Sequence, residues 1–412
     1  MGRLILGAPG AAARDAGGAV VSQMAGEAVV ILGGPGGFAP VTRLAVAANG
    51  PGVALFEGSQ AMDRVGTAVA GGGDIDGDGY DDILIGAPFR DQVAGTDAGA
   101  AFVVFGGGEA LAGWRAGAPA AGSVSQEMQG GAPRAYAGFS VAMVGDIDGD
   151  GRADSAIGMP GASLGARFGA GTIEIRFAGT GDRDLDDDGQ GGGRLAIHGG
   201  AALDAAGAAI SAAGDVNGDG IGDLLIGAPA AAGAAAASGA AYVVFGRAGG
   251  WQADLDLGAL GPGSGVVLRG AASGDLAGVA VASAADVNGD GIGDVIVGAP
   301  DAVGGRGAAY VVYGHRDGLP AAIDLGALDG AAGFRIEGAM ASEALGTSVV
   351  GVGDVNGDGF DDVLIGIPRA AAPGRLSPGA AILVFGSAEG PAGGALPGRP
   401  APGEGYVFRG GG

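Results

Sequence analysis

The 412-residue chain has no cysteine, only two histidines, and 5% aromatic residues; its 21 basic residues are all arginine. The missing cysteines exclude disulfides, a thiolate nucleophile and sulfur-ligated metal sites. They leave the compartment open, because repeats tied by other means need no disulfide. Against the arginines stand 45 acidic residues, for a formal net charge of −24. Such a chain lacks the basic face that phosphate contacts require, so nucleic acid is not expected as a partner. No apolar run approaches the roughly 18–20 residues of a membrane-spanning helix. The opening MGRLILGAPG also lacks the charged-then-apolar layout of a secretory signal, so any export signal is expected outside these residues. His198 and His315 sit at unrelated positions. Without lysine or cysteine beside them, the inventory for nucleophilic or general-base chemistry is thin, and the chain reads as a non-enzyme with no catalytic residues.

Glycine and proline are abundant instead, at 96 and 19 residues. Without periodicity that level would signal low complexity. Here it is periodic. An acidic loop recurs five times: DIDGDGYDD from Asp74, DIDGDGRAD from Asp146, DVNGDGIGD from Asp215, DVNGDGIGD from Asp286 and DVNGDGFDD from Asp354. Successive loops start 72, 69, 71 and 68 residues apart. Oxygen-bearing side chains at loop positions 1, 3, 5 and 9, with glycine at 4 and 6, suit a hard cation that takes six to eight oxygens around a sharply turned backbone. Seventeen acidic side chains occupy those positions, and five bound divalent ions would bring the net charge from −24 to −14.

Around each loop lie short apolar runs. In the last repeat they are SVVGVGD (348–354), DVLIGIP (362–368), AAILVFG (380–386) and GYVFRG (405–410). Glycine interrupts them too often for helices, and four short strands per unit are the pattern of a propeller blade. Eight residues before each loop stands a glycine (Gly66, Gly138, Gly207, Gly278, Gly346). Eleven before stands an acid in four cases (Asp63, Asp204, Asp275, Glu343), read as a turn cap, with Ala135 the exception. Gly-x-Pro follows the second run six times, ending at Pro9, Pro88, Pro160, Pro229, Pro300 and Pro368. The first has no loop before it. The expectation is a single all-β propeller domain over 1–412 with six units visible, five complete and an N-terminal one lacking its first strand. The approximate repeats are 1–58, 59–130, 131–199, 200–270, 271–338 and 339–412. A seven-blade ring or a longer array is the alternative.

The combination GDVNGDGIGDLLIGAP with GAAYVVFG resembles the FG-GAP repeats of the integrin α-subunit β-propeller and its bacterial relatives, along essentially the whole chain. The resemblance implies Ca²⁺, about five ions, held by side chains at positions 1, 3, 5 and 9 and the carbonyl at 7. In the first two loops these are Asp74, Asp76, Asp78, Tyr80 and Asp82, and Asp146, Asp148, Asp150, Arg152 and Asp154. In the third and fourth they are Asp215, Asn217, Asp219, Ile221 and Asp223, and Asp286, Asn288, Asp290, Ile292 and Asp294. In the fifth they are Asp354, Asn356, Asp358, Phe360 and Asp362. It further implies an extracellular or surface-displayed scaffold for adhesion, binding a protein or glycan, with calcium in a structural role. The family's Phe before glycine is Val65, Ala137, Ala206, Ala277 or Leu345 here, and nothing resembling an inserted ligand-binding domain interrupts the repeats. Pairing with an integrin-type β-subunit is therefore not expected.

Rival readings are weaker. An EF-hand needs a carboxylate at position 12 and a following helix. Position 12 here is Ile85, Ile157, Ile226, Val297 or Ile365, inside an apolar run. The nine-residue period of β-roll repeats is absent. The run DRDLDDDG (182–189), off the repeat register, reads as a solvated acidic loop. Trp114 and Trp251 lie in linkers and are expected to pack over blade edges. Two functional alternatives stand: a carbohydrate-active hydrolase or lyase using carboxylates gathered at the ring centre, and a structural spacer within a very large secreted protein.

Overall fold

A computed structural model describes residues 3–14, 20–33, 53–107, 114–115, 125–178, 193–371, 378–390, 395–397, 400–401 and 403–410. The acidic run 182–189 falls outside them. The repeats fold as six successive antiparallel sheets. Five carry four strands of their own; the third of the six, for example, runs Ser140–Gly145, Asp154–Met159, Thr172–Arg176 and Arg194–His198 in spatial order. The first sheet begins with Arg3–Ala8, which matches the second strand of the other units in sequence, and among the described residues no innermost strand precedes it in that sheet. These are blades of a β-propeller.

Blade-on-blade packing explains the composition. A strand covered on both faces cannot alternate polar and apolar residues. Asp82–Ala87, Asp154–Met159, Asp223–Ala228 and Asp294–Ala299 are buried at every position. The innermost strands Val69–Gly73, Ser140–Gly145, Ala209–Gly214, Ala280–Ala285 and Val349–Gly353 pack against one another in turn, which is why they are built of small residues. The glycine eight before each loop has φ between 80° and 90°, and at Gly66, Gly138, Gly278 and Gly346 an added Cβ would strike the neighbouring strand's backbone. The residue before it, the family's Phe, makes a parallel bridge to the previous sheet at Gly26, Gly99, Gly171, Gly239 or Gly307.

Two features went beyond the sequence reading. The linkers between the third and fourth strands are not mere connections. Asp254–Asp256, Ala322–Asp324 and Ala395–Pro397 each add a parallel outer strand to the preceding sheet. Trp114–Arg115 does the same for the first sheet, and Arg167 fastens one such strand through a bidentate pair with Asp256 at 2.8 and 2.9 Å. His198, at the end of the strand on which this linker lies, bridges Thr172 Oγ1 and Asp254 Oδ1, both at 3.1 Å. Trp251 packs at the same rim, with Phe177 at 5.8 Å and the Arg247 guanidinium 4.2 Å from its ring centre.

The third unit also departs from its siblings. Where other sheets bury Ile83, Phe102 and Val104, or Val295, Tyr310 and Val312, it buries Ser155, Glu174 and Arg176. Glu174 pairs with Arg176 at 2.6 Å and Arg194 at 2.9 Å. An ion pair at a blade interface offsets its own desolvation only in part, so this seam is less stabilising than its apolar counterparts. At the sixth sheet the outward face is open: Tyr406 is 62% and Phe408 54% exposed, while the matching Val266 and Leu268 are buried. Among the described residues no strand pairing joins the sixth sheet to the first.

Each innermost strand shifts register just before its loop, a bulge that turns the chain out of the sheet. The bulged residue is left-handed at Gly145, Gly214, Ala285 and Gly353, with φ of 74°, 81°, 59° and 70°. Alanine there has a Cβ clash that glycine avoids. Ala285→Gly is expected to stabilise the protein by about 1 kcal/mol, measured by thermal or urea unfolding; destabilisation would contradict the bulge geometry.

Candidate metal centres

The five loops leave the sheets between the first and second strands, each launched by that bulge. Their fold is a ladder of carboxylate-to-amide bonds. In the first loop Asp74 accepts from the amides of Gly77 (2.7 Å), Asp78 (3.1 Å) and Gly79 (2.8 Å), and Asp76 from Asp78 (3.1 Å). Asp78 in turn accepts from Tyr80 at 2.9 Å. The second loop repeats this set, with Asp146 accepting from Gly149, Asp150 and Gly151, Asp148 from Asp150, and Asp150 from Arg152.

The loops carrying asparagine do the same. Asp215, Asp286 and Asp354 each accept from the amides at positions 5 and 6. Asn217, Asn288 and Asn356 accept from position 5, and Asp219, Asp290 and Asp358 from the amides of Ile221, Ile292 and Phe360. Each asparagine also donates Nδ2–H to the aspartate at position 5, at 2.8 to 3.0 Å. The tight turns at 4 and 6 fall on glycines with φ from 72° to 92°.

This wrapping aims several carboxylates at one point. Asp74, Asp76 and Asp78 offer oxygens within 4.8 Å of one another, as do Asp146, Asp148 and Asp154. Like charges gathered so closely repel, and burial with the adjacent Asp150 raises the carboxyl of Asp148. An all-oxygen donor set on a glycine-turned loop fits a hard divalent cation and does not suit a soft one. The amide N–H at position 7 is held by the position-5 carboxylate, which fixes the peptide plane that it shares with the position-6 carbonyl.

The position-9 aspartates have a second role that the sequence pattern did not display. Asp82, Asp154, Asp223, Asp294 and Asp362 are fully buried. One oxygen accepts from the amide at loop position 2 (Ile75, Ile147, Val216, Val287, Val355) at 2.7 to 3.0 Å. The other accepts from the amide after the third strand (Gly106, Ala178, Gly246, Gly314, Gly386) at 2.6 to 3.0 Å. A single carboxylate thus ties the start of the loop to the far end of the third strand. The only hint in sequence was the glycine that ends the third apolar run, where four of the five donors stand.

The acids eleven before the loop lie away from the cluster. Asp63, Asp204, Asp275 and Glu343 each accept from an amide three residues earlier, at 2.7 to 3.0 Å, as turn caps. Asp63 additionally pairs with Arg90 at 3.3 Å. His315 meets its neighbour through its backbone, donating N–H to Val216 at 2.9 Å.

Burial pushes the carboxyls of Asp154, Asp223 and Asp294 up to about 7 and that of Asp82 up to about 6; the two amide bonds oppose the shift and neighbouring loop aspartates add to it. A folded pKa above the unfolded value of 3.8 means that the folded state holds the proton more tightly. The resulting stability is complete below that value and is lost as pH rises through 6 to 7. In chelator, the unfolding midpoint is therefore expected to fall between pH 5 and pH 8. A midpoint that rises over this range would show that the buried carboxyls are not the groups in control.

Residues 65–104, 206–244, 277–312 and 346–383 match the FG-GAP repeat. The third sheet, with its polar seam, lies outside the matched segments. Over 112 residues the chain is 41% identical to phosphatidylinositol-glycan-specific phospholipase D of Bos taurus, covering 26% of this chain and 13% of that protein. Over 163 residues it is 31% identical to integrin alpha-4 of Xenopus laevis, covering 39% and 14%. Over 120 residues it is 36% identical to integrin alpha pat-2 of Caenorhabditis elegans, covering 27% and 9%. Each alignment thus spans only a small part of the relative's length. With four matched repeats and integrin α subunits among its relatives, the chain is a member of the FG-GAP repeat family, integrin α-like in kind.

Proposed function

We propose that the protein is an extracellular, calcium-stabilised β-propeller that acts as a binding scaffold, with no catalytic activity of its own. The observation that supports this most is the fivefold recurrence of one oxygen-donor loop, twice with three carboxylates already converged. Integrin-like FG-GAP repeats bind divalent cations. A bound Ca²⁺ would supply two positive charges and several coordination bonds to groups that otherwise repel. In each loop positions 1, 3, 5 and 9 would hold it by side chain and position 7 by carbonyl, closing the connection between the first and second strands. Sites with affinities of 10⁻⁴–10⁻³ M are sufficient in extracellular modules. Such loops would be largely empty in a resting cytosol, and relatives named as integrin α subunits favour a cell-surface setting. The ligand is a protein or glycan met by loops on one face. The phospholipase likeness covers 13% of that enzyme and carries no activity over.

Binding confined to the native state adds RT ln(1 + [L]/Kd), about 2.7 kcal/mol per site at a hundredfold excess. The unfolding midpoint is expected to rise with millimolar Ca²⁺ and to fall on chelation. Bound cation also requires ionised carboxylates, so saturating Ca²⁺ is expected to abolish or reverse the pH trend seen in chelator. A midpoint indifferent to Ca²⁺ would end the structural-calcium reading.

Asp219→Ala removes the position 5 side chain of the third loop and is expected to lower the calorimetric stoichiometry by one site. Unchanged stoichiometry would show that this loop holds no ion. The non-catalytic reading is checked by assaying purified protein against glycosidase and lyase substrate panels, where turnover would contradict it.

A further inference from the structure

Each of the first four loops is roofed by the loop of the following sheet. The side chain at position 7 of the later loop lies over or beside the position-4 glycine of the earlier one. Arg152 covers Gly77, Ile292 covers Gly218 and Phe360 covers Gly289, while Gly149 is covered by Ala248 with Ile221 beside it. At three junctions the position-8 amide of the later loop donates to the position-1 carbonyl of the earlier loop. These bonds run from Gly222 to Asp146 (3.2 Å), Gly293 to Asp215 (2.9 Å) and Asp361 to Asp286 (3.0 Å). Beside them a residue just after the later sheet's third strand donates to the position-2 carbonyl: Arg247 to Ile147 (3.0 Å), His315 to Val216 (2.9 Å) and Ser387 to Val287 (2.9 Å). At the last junction Asp361 Oδ2 also accepts from the amide of Asp286 at 2.9 Å, so Asp286 is gripped at both main-chain atoms.

We infer that neighbouring cation loops bind cooperatively, with the residues at positions 7 and 8 of each loop acting as positioning residues for the site before it. This rests on the calcium reading above. A glycine-turned loop must lose freedom to close on an ion. Ordering the later loop fixes the side chain and amide that brace the earlier one, so part of that entropic cost is already met when the earlier loop binds. The contacts run one way along the chain, but the coupling is reciprocal, since each loop must alter the other's affinity by the same factor. The first junction differs in kind: the roof over the first loop is the Arg152 guanidinium, where position 7 of the next three loops is Ile, Ile and Phe. A fixed positive charge beside a cation site opposes binding there.

The test is hydrogen exchange of the full chain across a Ca²⁺ titration, read separately for loop peptides 74–82, 286–294 and 354–362. The double variant Phe360→Ala/Asp361→Ala keeps every proposed ligand side chain of the fourth and fifth loops. It is expected to raise the Ca²⁺ midpoint of 286–294 about fivefold. Asp358→Ala, which disables the fifth loop, is expected to raise the 286–294 midpoint in the native background and not in the double variant. Unfolding in chelator checks that the variants still fold. Arg152→Ile is an independent arm, expected to lower the midpoint of 74–82.

A 286–294 midpoint unmoved by these changes, or an effect confined to 354–362, would overturn the coupling. So would a 74–82 midpoint indifferent to Arg152→Ile. Absence of Ca²⁺ protection at all loops in the unaltered chain would instead overturn the calcium reading itself.

Discussion

A buried carboxylate with two amide donors holds each complete blade together. The aspartate at loop position 9 stands at the head of the second strand, fully buried, and binds the loop's second residue on one side and the end of the third strand on the other. Burying an ionisable group is costly, and two charge-assisted bonds offset only part of that cost. The raised carboxyl pKa values record the remainder. The same group that fixes three segments of a blade therefore holds its proton more tightly than an exposed carboxyl does. The loop placed beside it gathers further carboxylates rather than relieving it.

Around that unit the blades meet through backbone as well as through apolar side chains. Glycine-to-glycine approaches, parallel bridges at Gly99, Gly171, Gly239 and Gly307, and outer strands lent to the previous sheet all cross the blade junctions. Backbone contacts of this kind tolerate side-chain change, which accounts for a sequence rich in alanine and glycine that still keeps its period. They also accommodate the third unit, whose Ser155, Glu174 and Arg176 replace apolar packing without disturbing the strand register.

Much of this was legible in the residues. Five acidic loops at constant spacing announced repeated blades, and β-branched runs ended by Gly-x-Pro marked the second strands. That Arg3–Ala8 is a second strand of its unit followed from the Gly-x-Pro that ends it. The turn-capping role of Asp63, Asp204, Asp275 and Glu343 was also readable from their fixed offset. These are local matters: strand, turn and loop conformation depend on residues within about ten positions, and repetition displays the same dependence five times over.

Other features were settled only when the chain closed on itself in space. That Ala322–Asp324 supplies a strand to the sheet before it depends on a free edge presented by residues some 55 positions earlier. That position 9 binds the third strand's end depends on an amide more than 20 residues away. The roofing of one loop by the next likewise joins residues about 70 positions apart. Sequence determined which residues each blade contains, because propensity and turn chemistry act over short range. Tertiary structure decided which blade each residue serves, because unpaired edges, buried amides and exposed glycines take partners by proximity in space, whatever their separation along the chain.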